Sequence, residues 1–171
     1  TITLVTVEKF SEAMDKFIAG ECDIVTTDGS ALVGRRAVND ALNDWSIFPQ
    51  SPISKETLGP VYRSNDSAWG DVINWVVYAT IIADEYGVTS ANVDSVDTDA
   101  LPELGRLFGA NDGELQTIMG LDAKAFYNVI KQVGNYDEIY SRNLNPVGLF
   151  REGGANDRWT NGGLIYAPPA R

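Results

Sequence analysis

The sequence predicts an α/β fold, and three features of its first 30 residues support this class. Residues 2–7, ITLVTV, are mostly apolar and β-branched, which is typical of a buried strand. A helix is predicted next, with Ser11 as its N-cap and Gly20 as its stop. Residues 22–27, CDIVTT, again have the composition of a strand. A strand, a helix and a strand with short connections indicate a parallel pair in an α/β layer.

Asp28 follows directly after the second predicted strand, and therefore lies at its carboxyl end. In open α/β sheets, ligands bind in the crevice beyond the carboxyl ends of parallel strands, so an acid there can face a cation. The next residues, DGSALVGRRAV, predict a helix in which Asp28 or Ser30 accepts free amide hydrogens of the first turn. The residues alone leave both interpretations of Asp28 open, and one carboxylate can serve both purposes.

The composition of the chain changes at residue 49. Residues 49–63 contain three prolines and short β-prone pieces, which favours an extended crossing segment. Ser64, Asn65 and Asp66 are predicted to cap the clearest helix of the sequence. We interpret its aromatic and aliphatic face as core rather than as a binding platform: Trp69, Val72, Ile73, Val76, Tyr78, Thr80 and Ile81.

The remainder of the chain predicts short helices and an irregular tail. Pro102 marks a helix start, while Gly109, Gly120 and Gly134 each follow a helical segment. Residues 145–171 contain five glycines and three prolines, which is typical of an irregular strap. We expect six apolar side chains to dock this strap: Leu149, Phe150, Trp159, Leu164, Ile165 and Tyr166.

Length and charge exclude several functions. The 171 residues suit one domain or two small lobes. Lys and Arg number 13 against 24 Asp and Glu, and the net charge of −11 opposes binding to phosphate backbones and anionic membrane surfaces. We therefore predict no nucleic-acid partner. The longest apolar stretch, residues 75–83, is far shorter than the roughly 20 residues that a membrane span needs.

Motifs for catalysis and for metal binding are missing from the sequence. The chain has no histidine, which excludes Ser-His-Asp triads, Cys-His pairs and histidine-ligated metals. A calcium loop that starts at Asp97 and Asp99 would place Pro102 at the required glycine and Phe108 at the bidentate acid. We predict no catalytic residue, no metal site and no cofactor.

Cys22 is the single cysteine of the chain, so it has no disulfide partner within it. It can be a small buried hydrophobic residue, a free thiol, or half of a disulfide to a cysteine elsewhere. Glu21 and Asp23 flank it and no basic residue adjoins it in sequence, which disfavours a nucleophilic thiolate.

Five segments, in this order, carry a resemblance to a known family: GECDIVTTDGSAL, ISKETLGPVYRSNDSAWGDVINWVVYA, EYGVTSANVD, GLDAKAFYNVIKQVGNYDEIYSRNL and RWTNGGLIYAPPAR. Together they cover nearly the whole chain. The sequence resembles the C-terminal half of a bacterial periplasmic amino-acid-binding protein, of the general L-amino-acid-binding branch (family 3-like) that serves ABC importers.

The resemblance implies part of a two-lobed, type II periplasmic-binding-protein fold whose C-terminal portion is rich in helices. Such a receptor closes by hinge motion on one free L-amino acid and delivers it to the membrane permease of an ABC importer. It also implies a periplasmic location. Asp28 matches the position that accepts the α-ammonium group of the bound amino acid in this family.

The resemblance also implies a division of the chain. Residues 1–48 correspond to part of the second, smaller lobe, residues 49–57 to a hinge or crossing segment, and residues 58–171 to the C-terminal part of the first lobe with its tail strap. Cys22 matches a family cysteine that pairs with the preceding strand of the same lobe, outside this chain. We expect a fragment: either its missing N-terminal half is a second chain, or the fragment repacks or dimerises to cover exposed apolar surface and strand edges.

Two alternative functions stay open on the sequence alone. Solute-binding lobes also host periplasmic lyases and lytic enzymes, which would require a second acid or base near Asp28. A sensory or scaffold module without ligand is the other alternative.

Overall fold

The computed structural model describes residues 2–40, 44–49, 53–55, 57–110 and 114–170. The chain divides into two compact units, residues 1–57 and residues 58–171. The described residues form these α-helices: α1 (Phe10–Ile18), α2 (Gly29–Asn39), α3 (Ser67–Glu85), α4 (Pro102–Leu107), α5 (Glu114–Ile118), α6 (Ala125–Val133) and α7 (Tyr136–Leu144). The described residues also form single 3₁₀ turns at Val93–Ser95, Asn145–Val147 and Trp159–Asn161. Of the predicted crossing segment, residues 50–52 and 56 lie outside the described residues.

Helices α1 and α2 are the helices described in the first unit. Helix α1 begins at Phe10, one residue before the predicted cap Ser11, and the predicted stop Gly20 takes a φ of +73° after its end. Met14 on α1 and Val33 on α2 are the buried apolar side chains described in this unit. The first unit therefore has a small apolar core.

The two predicted strands do not pair in this structure. Residues 2–7 and 22–27 are not assigned as strands, and the described part of these segments makes no backbone hydrogen bond. Their apolar side chains are exposed, with Ile2 at 91%, Leu4 at 80% and Ile24 at 65%. A strand needs a neighbour for its N–H and C=O groups, and parallel strands need one in register. The strand prediction is thus wrong for this structure, because the described residues offer these backbone groups no hydrogen-bond partner.

The second unit contains a continuous hydrophobic core. Helix α3 packs against α6 and α7. The largest fully buried apolar side chains are Phe126, Ile82, Leu104, Leu107 and Ile130. Each such side chain contributes about 1.5–3 kcal/mol by its burial, so these residues fix the position of every helix that carries them.

Helix α3 is capped as predicted but buries a different part of its length. The Asp66 carboxylate accepts a hydrogen bond of 3.1 Å from the backbone N–H of Trp69. The buried residues lie mainly in the C-terminal half of the helix, whereas Trp69 is 54% exposed. The prediction of Trp69 as a core residue is therefore wrong, because the hydrophobic core packs against the C-terminal half of α3. None of the described helices is both long and apolar enough to cross a membrane.

The predicted breaks between the short helices are confirmed. Pro102 occupies the first turn of α4. Gly109 follows α4 with a φ of +78°, and a Cβ atom there would lie 2.0 Å from the carbonyl oxygen of Ala123. Only glycine fits this close approach. Helix α7 starts with a capping box, in which Asn135 and Glu138 each accept a hydrogen bond from the other's backbone N–H.

The tail is held mainly by polar contacts, which corrects the predicted apolar docking. Four of the six expected docking residues are more than half exposed: Phe150, Trp159, Leu164 and Tyr166. Instead, Arg151 and Asp84 form a buried ion pair, with Nη2 and Oδ2 2.6 Å apart. Arg158 donates a hydrogen bond to the Asp84 backbone oxygen, and Glu103 accepts one from the Ala170 N–H. These contacts tie the tail to α3 and α4.

Candidate functional site

Asp28 is the N-cap residue of α2 by its backbone, but its side chain does not cap the helix. Its carbonyl oxygen accepts a hydrogen bond of 3.0 Å from the N–H of Leu32. The carboxylate accepts no hydrogen bond from the first turn of α2. Within the described residues the carboxylate forms neither a hydrogen bond nor an ion pair with another side chain. The sequence leaves open a helix cap and a ligand contact for Asp28, and the structure does not form the side-chain cap.

The backbone next to Asp28 is uncrowded. The side chain is half-buried, and the adjacent Gly29 has no atom within 4 Å of where a Cβ would stand. A half-buried carboxylate without a partner can accept hydrogen bonds from an ammonium group, at about 1.5–3 kcal/mol for a bond to a charged group. The geometry is therefore compatible with an ammonium ligand at Asp28.

Cys22 is a half-buried free thiol in this structure. The sequence shows no basic residue adjoining Cys22, but Lys16 at the end of α1 lies near it, and the side-chain hydrogen bond to Glu21 raises the pKa of Lys16. Lys16 itself is paired with Glu21 at 2.8 Å. The sequence signal for this contact is the position of Lys16 in the last turn of α1. The chain contains no second cysteine, so the disulfide between Cys22 and a partner outside the chain stays a prediction.

The acidic segment around residue 97 has structural roles. One oxygen of Asp97 accepts hydrogen bonds from the backbone N–H groups of Asp99 and Ala100, which closes a turn. Asp94 pairs with Lys131 at 2.6 Å and accepts a hydrogen bond from the Tyr127 hydroxyl. Over the described ranges, no group of three or more Cys, Asp or Glu residues is arranged to hold a metal ion.

Two surface grooves lie in the second unit. The first, of about 630 Å³, is lined by Val61, Tyr62, Arg63, Asp66 and Trp69. The second, of about 370 Å³, lies between α3, α4 and the tail, and its lining includes Glu85, Tyr86, Glu103, Trp159, Tyr166 and Pro169. Sequence reasoning identified neither groove, because the residues of each are brought together only by folding.

Comparison with known proteins identifies relatives along the whole chain. No protein-family model matches. The chain is 42% identical over its full length to the glutamate/glutamine/aspartate/asparagine-binding protein BztA of Rhodobacter capsulatus, and covers 51% of that protein. It is 40% identical over 98% of its length to the general L-amino acid-binding periplasmic protein AapJ of Rhizobium johnstonii, and covers 49% of it. The chain is homologous to part of the periplasmic amino-acid-binding proteins.

A solved structure agrees with these relatives of the periplasmic amino-acid-binding type. It is an ABC transporter periplasmic binding protein from Brucella ovis with glutathione bound, with 40% sequence identity and a TM-score of 0.87 over 98% of this chain. The matched part is 52% of that protein. The chain thus spans about half the length of the relatives it matches. The predicted fold class, part of a periplasmic-binding-protein fold with a helix-rich C-terminal portion, is confirmed.

Proposed function

We propose that this chain forms part of the extracytoplasmic solute-binding component of an ABC importer, and that Asp28 binds the α-ammonium group of a free L-amino acid. The observation that carries the proposal is the half-buried, unpartnered Asp28 carboxylate in a chain about 40% identical to amino-acid-binding proteins. The relative AapJ is named as a periplasmic protein, which supports a periplasmic location for this chain. The membrane permease of the importer is the corresponding partner.

The ligands named for the relatives share one chemical group. Glutamate, glutamine, aspartate, asparagine and glutathione all carry a free α-ammonium beside an α-carboxylate. An acid that accepts hydrogen bonds from the ammonium would recognise all of them without reading their side chains. The proposal therefore assigns Asp28 to recognition of the common group, and assigns side-chain selectivity to other residues.

The remainder of the receptor is part of the proposal. In it, residues 1–48 belong to the smaller lobe, residues 49–57 to the connection, and residues 58–171 to the larger lobe. A further polypeptide segment of similar length would pair with residues 2–7 and 22–27, and its cysteine would form the disulfide with Cys22. The exposed Ile2 and Leu4 support this requirement, since buried strands expose few large apolar side chains.

The proposed activity is binding without catalysis. BztA and AapJ are named as binding proteins rather than as enzymes. In the described residues of the first unit, no second acid or base is hydrogen bonded to Asp28. A role in proton transfer would need an acid, a base or a substrate within hydrogen-bond distance of the carboxylate.

Asp28 is tested by calorimetric titration of the receptor that contains this chain with the twenty amino acids. We expect Asp28→Ala to weaken binding of the preferred amino acid at least about tenfold, since one charge-assisted hydrogen bond is lost. The N-acetyl derivative of that amino acid, which lacks the ammonium charge, should bind weakly to the native protein and lose little more in the variant.

Asp23→Ala is the matched control, because Asp23 is an exposed aspartate five residues earlier with no side-chain partner in the described residues. It should leave the affinity unchanged. An Asp28→Ala receptor with unaltered affinity would remove the ammonium role. The intact mass of the protein as isolated, measured without and then with a reductant, tests the companion segment. A mass of 18.6 kDa in both measurements would exclude a disulfide between Cys22 and a second chain.

A further inference from the structure

The groove between α3, α4 and the tail combines two carboxylates with three aromatic rings. Glu85 and Tyr86 come from the end of α3, Glu103 comes from α4, and Trp159 and Tyr166 come from the tail. The groove has a volume of about 370 Å³ and belongs entirely to the second unit. Its chemistry is independent of Asp28.

Hydrogen bonds hold both carboxylates in place. The Trp159 indole N–H donates to Glu85 Oε1 at 2.9 Å. The Tyr86 hydroxyl donates to Glu103 Oε2 at 2.8 Å, and the backbone N–H of Ala170 donates to Glu103 Oε1 at 2.8 Å. Each acid is thus fixed beside the edge of an aromatic ring, with the negative charge directed into the groove.

Neither carboxylate is neutralised by a cation in the described part of the chain. The ion pairs formed there involve other acids. The nearby Arg106 donates its Nε hydrogen to the Ala170 carbonyl at 2.7 Å rather than to Glu103. Burial raises the pKa of Glu85, although hydrogen bonds from Trp159 and from the backbone of Ala167 oppose that shift. Within the described residues, therefore, neither Glu85 nor Glu103 forms an ion pair.

The aromatic rings are open to an incoming group. Tyr86 is 44% exposed, Trp159 is 58% exposed and Tyr166 is 68% exposed. The Lys and Arg side chains that lie over rings in the described structure use Phe10, Tyr127 and Tyr136 instead. Ring faces attract cations, and quaternary ammonium ligands are commonly bound by such rings.

We propose that this groove is a binding site for a small organic cation, of the quaternary ammonium or guanidinium type. Such a cation is weakly hydrated, and so gives up its water to aromatic faces at low cost. The two carboxylates supply the counter-charge without direct coordination. A metal ion fits less well, because both oxygens of Glu103 already accept hydrogen bonds and no group of acids in the described residues is arranged to hold one.

The test is calorimetric titration of the 171-residue chain with choline and with methylguanidinium. We expect one saturable site with a dissociation constant of about 1–10 mM, as for exposed cation contacts. The neutral analogue 3,3-dimethylbutan-1-ol has nearly the shape of choline without its charge, and should bind at least about tenfold more weakly. Equal binding of choline and the alcohol would overturn the proposal, since the groove would then be merely apolar.

Two pairs of variants locate the site. Tyr166→Leu should weaken choline binding about threefold or more, while Phe150→Leu, an aromatic change of similar exposure outside the groove, should not. Glu85→Gln keeps an acceptor for the Trp159 N–H but removes the negative charge, and should weaken choline binding more than Tyr166→Leu does. Glu152→Gln, at an exposed position outside the groove, should have no effect.

Equal weakening by Glu85→Gln and Glu152→Gln would mean general attraction to a chain of net charge −11, and would overturn the site. Absence of saturable binding by both cations would do the same. These readouts involve no amino-acid ligand, so failure at the groove leaves the proposal for Asp28 untouched, and failure at Asp28 leaves the groove untouched.

Discussion

The two units of the chain bury their apolar side chains to different extents. In residues 58–170 a continuous core includes Phe126, Leu104 and Ile82, each at most 1% exposed. In residues 2–57 the buried apolar side chains described are Met14 and Val33, while large apolar residues in the same unit are exposed. Helices complete the core of the second unit together with loop and tail residues such as Val88 and Ala170. The first unit has helices but no paired strand among its described residues for them to cover.

The second unit also holds its irregular tail by a buried ion pair, and breaking that pair should have the largest effect. Asp84 is 3% exposed, and its Oδ2 atom lies 2.6 Å from Nη2 of Arg151, outside hydrogen-bond geometry. Asp84→Asn removes the buried negative charge that faces the Arg151 guanidinium, so we expect a loss of about 3–5 kcal/mol in the free energy of unfolding. Urea denaturation followed by tryptophan fluorescence measures it.

Asp137→Asn is the control for this variant. Asp137 contacts the same Arg151 at 3.2 Å, but its side chain is 54% exposed, and exposed pairs contribute about 0–1 kcal/mol. A double variant, Asp84→Leu with Arg151→Met, should recover much of the loss, since apolar replacement of a buried pair is often neutral. Equal losses for Asp84→Asn and Asp137→Asn would show that burial does not govern this network.

Local signals in the sequence were sufficient to predict where several helices of the second unit begin and end. The cap at Asp66, the start at Pro102 and the turn at Gly109 are read from one or two residues, and the structure confirms all three. The predicted strands, in contrast, depend on partners far away in sequence, and such partners cannot be inferred from strand composition. The predicted apolar docking of the tail is wrong for a related reason. Its contacts are charged pairs such as Arg151 with Asp84, separated by 67 positions, and periodicity does not report them.

The position of Asp28 was predictable for a similar local reason. It follows an apolar segment and begins a helix, and both features are adjacent to it in sequence. The absence of a side-chain cap was not predictable, because Asp and Ser at this position normally form one. The groove at Glu85 and Glu103 needed α3, α4 and the tail to be assembled first.

Hydrogen exchange can sharpen the contrast between the two units. Amides in α3 and α6 should exchange only through opening of the core, whereas residues 2–7 and 22–27 should exchange at nearly unprotected rates in the chain alone. Addition of the remaining receptor segment should slow exchange in both segments by about 100-fold or more, equivalent to about 2.7 kcal/mol. Mass spectrometry of peptic peptides measures this change.

Concentration is the control for the exchange experiment. If residues 22–27 are protected in the chain alone and the protection rises with protein concentration, the chain pairs with a second copy of itself. If the protection is present and independent of concentration, the segment is already paired within one chain. Protection of that kind would contradict the inference that Ile24 is exposed because its segment lacks a neighbouring strand.

A smaller effect is expected from Glu138, which locks the start of α7 within the second unit. Burial, the largest influence, raises its pKa, but hydrogen bonds from Ser90 and Asn135 together hold the pKa of Glu138 below its ordinary value. Because the folded pKa is lowered, the ionised group stabilises the fold above the ordinary pKa of about 4.3. This contribution is lost as the pH falls through the folded pKa.

The Glu138→Gln variant isolates that contribution. We expect it to lower the free energy of unfolding by about 1 kcal/mol near pH 6, and the difference from the native protein should vanish once Glu138 is protonated. Thermal unfolding between about pH 6 and pH 3 measures the difference, with the exposed Glu152→Gln as a control that should show none. A difference that stays constant with pH would mean that the shape of the side chain, rather than its charge, supports the capping box. The second unit would then owe the start of α7 to hydrogen-bond geometry alone.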